Sequence, residues 1–113
     1  MSPALQTTRI IRRPNWDFEE VTSGHIILTL LPDTDWNDPE RIRRFLTRFR
    51  SMNELSCDCR HVNITSTAAI GWLITLYRHC LSKGIEFAVI NPDASCIATY
   101  RAQGLDGILP IAA

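Results

Sequence analysis

The order of turn residues and apolar runs limits this chain to few folds. Two strand-like runs, residues 18–22 and 25–31, are separated by Ser23-Gly24, a tight-turn pair typical of a hairpin. Strand-like and helical patterns then alternate, and such alternation implies right-handed crossovers between parallel strands. The sequence therefore predicts an α/β fold: a single domain with a mostly parallel, mixed β-sheet of four to five strands and helices packed mainly on one face.

Local signals predict the remaining elements. Asn37-Asp38 before Pro39 predicts a side-chain cap and a helix start, because proline at the first helical position loses no hydrogen bond. This helix is expected to end near residues 51–53. Its Arg41, Arg44 and Arg48 recur at helical spacing, either as a solvated face or as a contact for an acidic partner. The later elements are a strand over residues 55–64, a helix over 68–81, a strand over 85–90, a helix over 94–103 and a closing segment over 105–111.

Length and charge narrow the class of protein. The 113 residues suffice for one core, with residues 1–14 as a flexible tail or weak first strand and residues 15–113 as the domain. Twelve basic residues balance twelve acidic ones, which disfavours nucleic acid as a partner and favours a protein. There is no apolar stretch of roughly 18 residues, so we expect no membrane insertion and a cytoplasmic location.

Residue types suited to catalysis or metal binding occur, but their spacing does not fit a site. His25, His61 and His79 are scattered, and Asp58 is expected to point away from His61, which argues against a catalytic triad. Zinc knuckles need longer spacing than Cys57-Asp58-Cys59 and two further ligands, so the four cysteines are expected to be buried free thiols. We therefore predict no catalytic residue, no metal site, no cofactor and no enzymatic activity.

One segment resembles a known family. Residues 59–73 read CRHVNITSTAAIGWL, similar to the segment written Asp-Ser-Ser-Gly-Leu-Gly that follows a strand in STAS domains, the bacterial anti-sigma-factor antagonists. The resemblance continues over residues 83–86, 89–92 and 104–106, which look like the family's helix exit, fourth strand and penultimate turn. It covers residues 24–111. It implies a signalling module that regulates transcription by binding an anti-sigma factor with serine-kinase activity.

This motif can be aligned in two registers, which put different residues at the phospho-acceptor position. Aligning Ile70-Gly71 puts Ser66 at the family's Asp, Ala68 at the usual phospho-acceptor and Ala69 at the Gly, and a methyl group cannot be phosphorylated. Shifting by one residue makes Thr67 the acceptor, with Ser66 as a second phosphorylation candidate. Thr67-Ala68 also fits the STAS subunit of a lipid-transporting ABC system, whose partner is the transporter ATPase. A third alternative is a small anion- or nucleotide-binding domain.

The predicted partner-binding surface lies where the third strand gives way to the second long helix. Small hydroxyl residues at a helix start leave backbone N–H groups that attract anions and allow another protein to come close. Trp72 and Leu76 lie off the expected core stripe, so Trp72 either forms part of this surface or packs on an adjacent helix or the N-terminal arm. A weak homodimer is a further alternative. The partner-binding candidates are Thr65, Ser66, Thr67, Ala68, Ala69, Trp72 and Leu76, and the expected core stripe is Ile70, Leu73, Ile74, Tyr77 and Leu81.

Overall fold

The computed structural model describes residues 16–49 and 51–112, so the expectation for residues 1–14 lies outside the described part of the chain. The described residues form five strands, three α-helices and one 3₁₀ turn. Their order is β1 (Trp16–Thr22), β2 (His25–Leu30), α1 (Pro39–Leu46), β3 (Glu54–Asp58), α2 (Thr67–Ser82), β4 (Glu86–Ile90), α3 (Ala94–Ala102), the 3₁₀ turn (Leu105–Gly107) and β5 (Ile111–Ala112).

The sheet confirms the predicted α/β fold. Its strand order is β1-β2-β3-β4-β5, with β1 antiparallel to β2 and every later pair parallel. Each helix connects two neighbouring parallel strands, and right-handed crossovers of this kind put all three helices on one face. The predicted hairpin is present, and its second strand lies between β1 and β3.

The hairpin turn depends on Gly24. Its φ of +85° is a backbone conformation that residues with a Cβ rarely adopt, and an added Cβ would lie 2.9 Å from the carbonyl oxygen of Ser51. The Gly24 carbonyl accepts hydrogen bonds from the backbone N–H groups of Asn53 at 2.9 Å and Glu54 at 3.1 Å. The turn is thereby tied to the start of β3, which helps to fix the strand register.

The two faces of the sheet differ in burial. Across β2, β3 and β4, Ile26 pairs with Leu55 and Leu55 pairs with Phe87, and all three side chains are buried in the core. Ile27 lies on the other face, where it pairs with Ser56, and it is only half-buried. The core is therefore built between one sheet face and the helices.

Helix α1 begins at Pro39 as predicted, but its end differs. Asp38 is the N-cap residue, yet its side chain makes no capping hydrogen bond. The helix ends at Leu46, before residues 51–53, because the following backbone tightens: the Phe49 N–H donates to the Leu46 carbonyl three residues back. Arg41 of α1 lies over the Trp16 ring, and Arg48, just after the helix, lies over the Phe45 ring.

The expected core stripe of α2 is confirmed only in part: Leu73 is fully buried, and Ile74 and Tyr77 are partly buried against the core. Leu81 is 60% exposed, and Ile70 is only partly buried. The buried face is turned about the helix axis toward Trp72 and Leu76, which the prediction placed off the core stripe. It comprises Ala69, Trp72, Leu73, Leu76 and Cys80.

Strand β3 is shorter than predicted. It ends at Asp58, whereas the apolar pattern continues to Ile64. Ile64 lies in the loop and is fully buried, so the apolar pattern reflects core packing and not strand structure.

The four thiols are placed as predicted: Cys57, Cys59, Cys80 and Cys96 are free and buried. Within residues 16–49 and 51–112, no helix is long and apolar enough to cross a lipid bilayer.

Candidate functional site

The candidate site is the loop between the carboxyl end of β3 and the start of α2. Parallel strands point their carboxyl ends to one edge of the sheet, so this loop lies beside the loops that follow β2 and β4. Asp58 is the last residue of β3 and Thr67 is the first of α2. The connection is eight residues long by that count, from residue 59 to residue 66, and its conformation depends on three sets of contacts.

The first set fixes the exit from β3. The Asp58 carboxylate is buried and accepts hydrogen bonds from the Arg60 backbone N–H at 3.1 Å and from Arg60 Nε at 3.0 Å. Burial opposes ionisation of Asp58, but the hydrogen bonds from Arg60 and Asn91 outweigh it and lower the pKa of the carboxyl group. Asp58 is thus held as a carboxylate by Arg60, which gives it a structural partner other than His61.

The second set holds the middle of the loop. Asn63 Oδ1 accepts hydrogen bonds from the backbone N–H of Thr65 at 2.9 Å and from its hydroxyl at 2.6 Å. The buried Tyr100 hydroxyl on α3 donates to the Ile64 carbonyl at 2.6 Å. Burial raises the pKa of Tyr100, so the phenol keeps its donor proton. A side chain from a neighbouring helix therefore anchors the loop from below.

The third set is the helix cap. Ser66 is the N-cap residue of α2, and its hydroxyl oxygen accepts a hydrogen bond from the Ala69 N–H at 3.1 Å. Thr67 and Ala68 follow in the first turn with exposed side chains, while Ala69 is fully buried. No acidic residue lies in this first turn, so the positive end of the helix has no local countercharge there.

The structure corrects part of the predicted partner surface. Ala69 is fully buried, Trp72 is 2% exposed and Leu76 is 1% exposed, so none of these three predicted contact residues is available to a partner in this conformation. Trp72 packs on Trp36 from the loop after β2, with ring centroids 5.3 Å apart. Trp72 is thus packed internally, but the observed aromatic contact comes from this loop, which the prediction of packing on an adjacent helix or the N-terminal arm did not name. The accessible part of the predicted surface is Ser66, Thr67 and Ala68, with half-buried Thr65 beside them.

This geometry can present hydroxyl groups to a partner, and nothing in it holds a metal. Among residues 16–49 and 51–112, no group of three His, Cys, Asp or Glu side chains is placed to bind a metal ion. The Thr67 hydroxyl is exposed at the start of a helix whose preceding loop is anchored at three points. A rigid edge with accessible small residues is what a docking or modification site requires.

A family model matches this chain over nearly its whole length, and not only at the short motif before α2. The STAS domain model matches residues 15–113. The chain therefore belongs to the STAS domain family. No curated protein sequence matches it significantly.

Solved structures share the fold of this STAS domain. The anti-sigma factor antagonist SpoIIAA in its unphosphorylated form is 15% identical, with a TM-score of 0.64 over 87% of this chain and 88% of that one. Phosphorylated SpoIIAA, a Bacillus cell fate determinant, is 16% identical, with a TM-score of 0.62 over 87% and 91% of the two chains. TM1081 is 15% identical, with a TM-score of 0.70 over 84% and 78%.

A longer protein also contains this fold. SLC26A9 is 12% identical, with a TM-score of 0.56, and the match covers 93% of this chain and 23% of that one. The STAS domain described here thus corresponds to under a quarter of that protein. At these identities, the likeness to all of these structures shows a shared fold.

Several contacts of the loop were missed in the sequence. The Tyr100–Ile64 hydrogen bond joins residues 36 positions apart, so no local pattern predicts it. The Asp58–Arg60 pair spans two positions, and that spacing of opposite charges at a strand end was the available signal. The Trp36–Trp72 contact has no sequence signal beyond the presence of two tryptophans.

Proposed function

We propose that this STAS domain is a protein-binding regulatory module of the anti-sigma-factor-antagonist type, acting in bacterial transcriptional signalling by partner binding and not by catalysis. The observation that carries the proposal is the exposure of Ser66, Thr67 and Ala68 on a loop anchored by Asp58 and Tyr100. A partner can approach this edge closely because the exposed side chains are small. The shared fold with SpoIIAA supports the same assignment.

Thr67 is the better phospho-acceptor of the two candidates. The Ser66 oxygen already accepts the Ala69 N–H, so phosphorylation there would disturb the cap, whereas Thr67 is exposed in the first helical turn. A phosphate on Thr67 would lie at the uncompensated positive end of α2 and would repel an acidic partner surface. In the register that places Ala68 at the acceptor position, the module binds its partner without this switch.

A second candidate function is the regulatory subunit of a lipid-transporting ABC system. It rests on the Thr67-Ala68 pair, which occupies the same exposed turn. Both candidates use the same edge of the domain and differ in the partner: a kinase-like anti-sigma factor in the first, a transporter ATPase in the second.

The partner surface is tested by comparing two matched substitutions. Ala68→Arg places a large cation on the proposed surface, and Ala98→Arg places it on the exposed side of α3. The tagged wild-type domain is purified from its native cells, the captured partner is identified by mass spectrometry, and its affinity for each variant is then measured. We expect Ala68→Arg to weaken binding at least tenfold, as for a substitution in the centre of an interface, and Ala98→Arg to leave it unchanged.

The identity of the partner separates the two functions. Capture of a kinase-like anti-sigma factor supports the first candidate, and capture of a transporter ATPase supports the second. Equal binding by wild type and Ala68→Arg would place the partner surface elsewhere.

The phosphorylation step has its own test. The purified partner kinase and Mg-ATP should add one phosphate to the wild-type domain and none to Thr67→Ala, as measured by intact mass. Addition to Thr67→Ala but not to Ser66→Ala would move the acceptor to Ser66. An unchanged mass in the wild type would leave the module without this switch.

A further inference from the structure

A groove lies between α1 and the end of α2, away from the candidate partner loop. Its inner part is a cavity of about 290 Å³. Its walls are about half apolar and half polar, and they come from the carboxyl ends of both helices, the segments that follow these helices and the residue just before β4. The lining residues are Leu46, Thr47, Phe49, Met52, His79, Lys83 and Ile85.

The mouth of the groove is basic. A second hollow of about 380 Å³ shares Thr47, His79 and Lys83 with the first, so the two are continuous. Its remaining lining residues are Arg43, Arg44 and Ser82. Among the described residues, Glu40 is the one carboxylate that acts electrostatically on the His79 ring. Arg43 Nε already donates a hydrogen bond to the Glu40 carboxylate at 2.9 Å. At the mouth, the three cations Arg43, Arg44 and Lys83 therefore outnumber the single carboxylate of Glu40.

The half-buried His79 responds to these charges. Burial lowers the pKa of His79, Arg43 and Lys83 lower it further, and Glu40 partly opposes them. Cations near the end of a helix can also stabilise it through the macrodipole, which accounts for Lys83 at the end of α2. That role requires neither a cavity nor arginines from α1, so the convergence of charge around a partly apolar recess needs a further explanation.

We propose that this groove binds a single-chain anionic amphiphile, with its head group among Arg44, His79 and Lys83 and its chain against Leu46, Met52 and Ile85. Arginine and lysine bind carboxylate and phosphate alike, so the head group is either a fatty-acid carboxylate or an alkyl phosphate. The small volume of the recess, about 290 Å³, suits a flexible chain better than a folded protein surface.

The groove is physically separate from the partner loop. Helix α2 has 16 residues, so its two ends are about 24 Å apart at a rise of about 1.5 Å per residue. The loop lies at the first end, and His79 and Lys83 lie at the last. The proposal therefore does not depend on the proposed function, and either can fail alone.

The test uses four probes on the ¹⁵N-labelled domain: octanoate, octyl phosphate, 1-octanol and inorganic phosphate. We expect saturable backbone shifts at Thr47, Lys83 and Ile85 with one or both of the anionic amphiphiles. The relative effects of octanoate and octyl phosphate identify the head group. Bound octanoate should also raise the pKa of His79, because an anion beside the ring favours imidazolium, and the His61 resonance serves as an internal control.

Matched variants separate a site from general surface charge. Arg44→Gln/Lys83→Gln removes two cations at the mouth, whereas Arg78→Gln/Arg101→Gln removes two exposed cations elsewhere. The first pair should weaken amphiphile binding about tenfold, and the second should leave it unchanged. Thr47→Trp, at an exposed position on the rim, should block binding without altering the core.

Three results would overturn the proposal. They are equal affinity for 1-octanol, equal shifts with inorganic phosphate alone, and the absence of saturable shifts at the groove in a wild-type domain whose spectrum shows that it is folded.

Discussion

Trp36 and Trp72 meet edge to face, with their ring centroids 5.3 Å apart and their planes at 83°. Trp36 comes from the loop after β2 and is half-buried, whereas Trp72 lies inside α2 and is 2% exposed. This contact joins the loop that leads to α1 to the helix that carries the candidate partner surface.

The Trp36–Trp72 pair should be important for stability. Trp72→Ala should lower the free energy of unfolding by about 3–5 kcal/mol, because it leaves a large cavity. A double-mutant cycle with Trp36→Leu and Trp72→Leu, which removes the aromatic rings but keeps bulky apolar side chains, should give a coupling of about 0.5–1.5 kcal/mol in urea denaturation. Zero coupling would show that the rings do not interact.

Tyr100 should determine how firmly the partner loop is held. Tyr100→Phe removes the hydrogen bond to the buried Ile64 carbonyl and should cost about 1–3 kcal/mol of unfolding free energy. Hydrogen exchange of the amides in the loop before α2 should speed up more than that of β4. Tyr77→Phe is the control, since Tyr77 is only half-buried and water can replace any lost contact. An equal effect of both substitutions would contradict the anchoring role.

The hairpin turn should tolerate no side chain at Gly24. Gly24→Ala combines a positive φ with a close approach to Asn53 and Ser51 and should destabilise the domain by about 1–3 kcal/mol. Gly107→Ala is the matched control, because no described atom lies within 4 Å of an added Cβ there, and its effect should stay within about 0.5 kcal/mol. Thermal or urea unfolding of the two variants measures the difference.

The Cys80 thiol should make stability fall at alkaline pH. Burial raises the pKa of Cys80 from 9.0 to about 11. The folded state therefore holds its proton where the unfolded state has lost it, so the stabilisation is complete below about pH 9 and is lost as pH rises toward about 11. The loss is about 2–3 kcal/mol. Cys80→Ala should reduce the slope of the unfolding free energy against pH over this range, whatever its effect at neutral pH, and the raised pKa values of Cys57 and Cys96 account for the slope that remains. An unchanged slope would exclude Cys80 as a cause.

Much of the fold could be predicted because the signals for it are local. Ser23-Gly24, Pro39 and the alternation of strand and helix patterns depend on backbone preferences of a few residues, and they predicted the hairpin, the start of α1 and the mixed parallel sheet. The prediction of a site at Ser66, Thr67 and Ala68 came from the resemblance to the STAS family. Such a resemblance gives the position of a motif but not its contacts.

Other features depend on residues far apart in the chain, and only the tertiary structure decided them. The buried face of α2 includes Trp72 because Trp36 covers it, and the periodicity of one helix cannot show what another segment will cover. The end of β3 could not be placed because Ile64 fills the core from a loop and so extends the apolar pattern of the strand. The groove between α1 and α2 arises in the same way: burial and charge at a point depend on every segment that meets there, whereas turns and caps depend on their own residues.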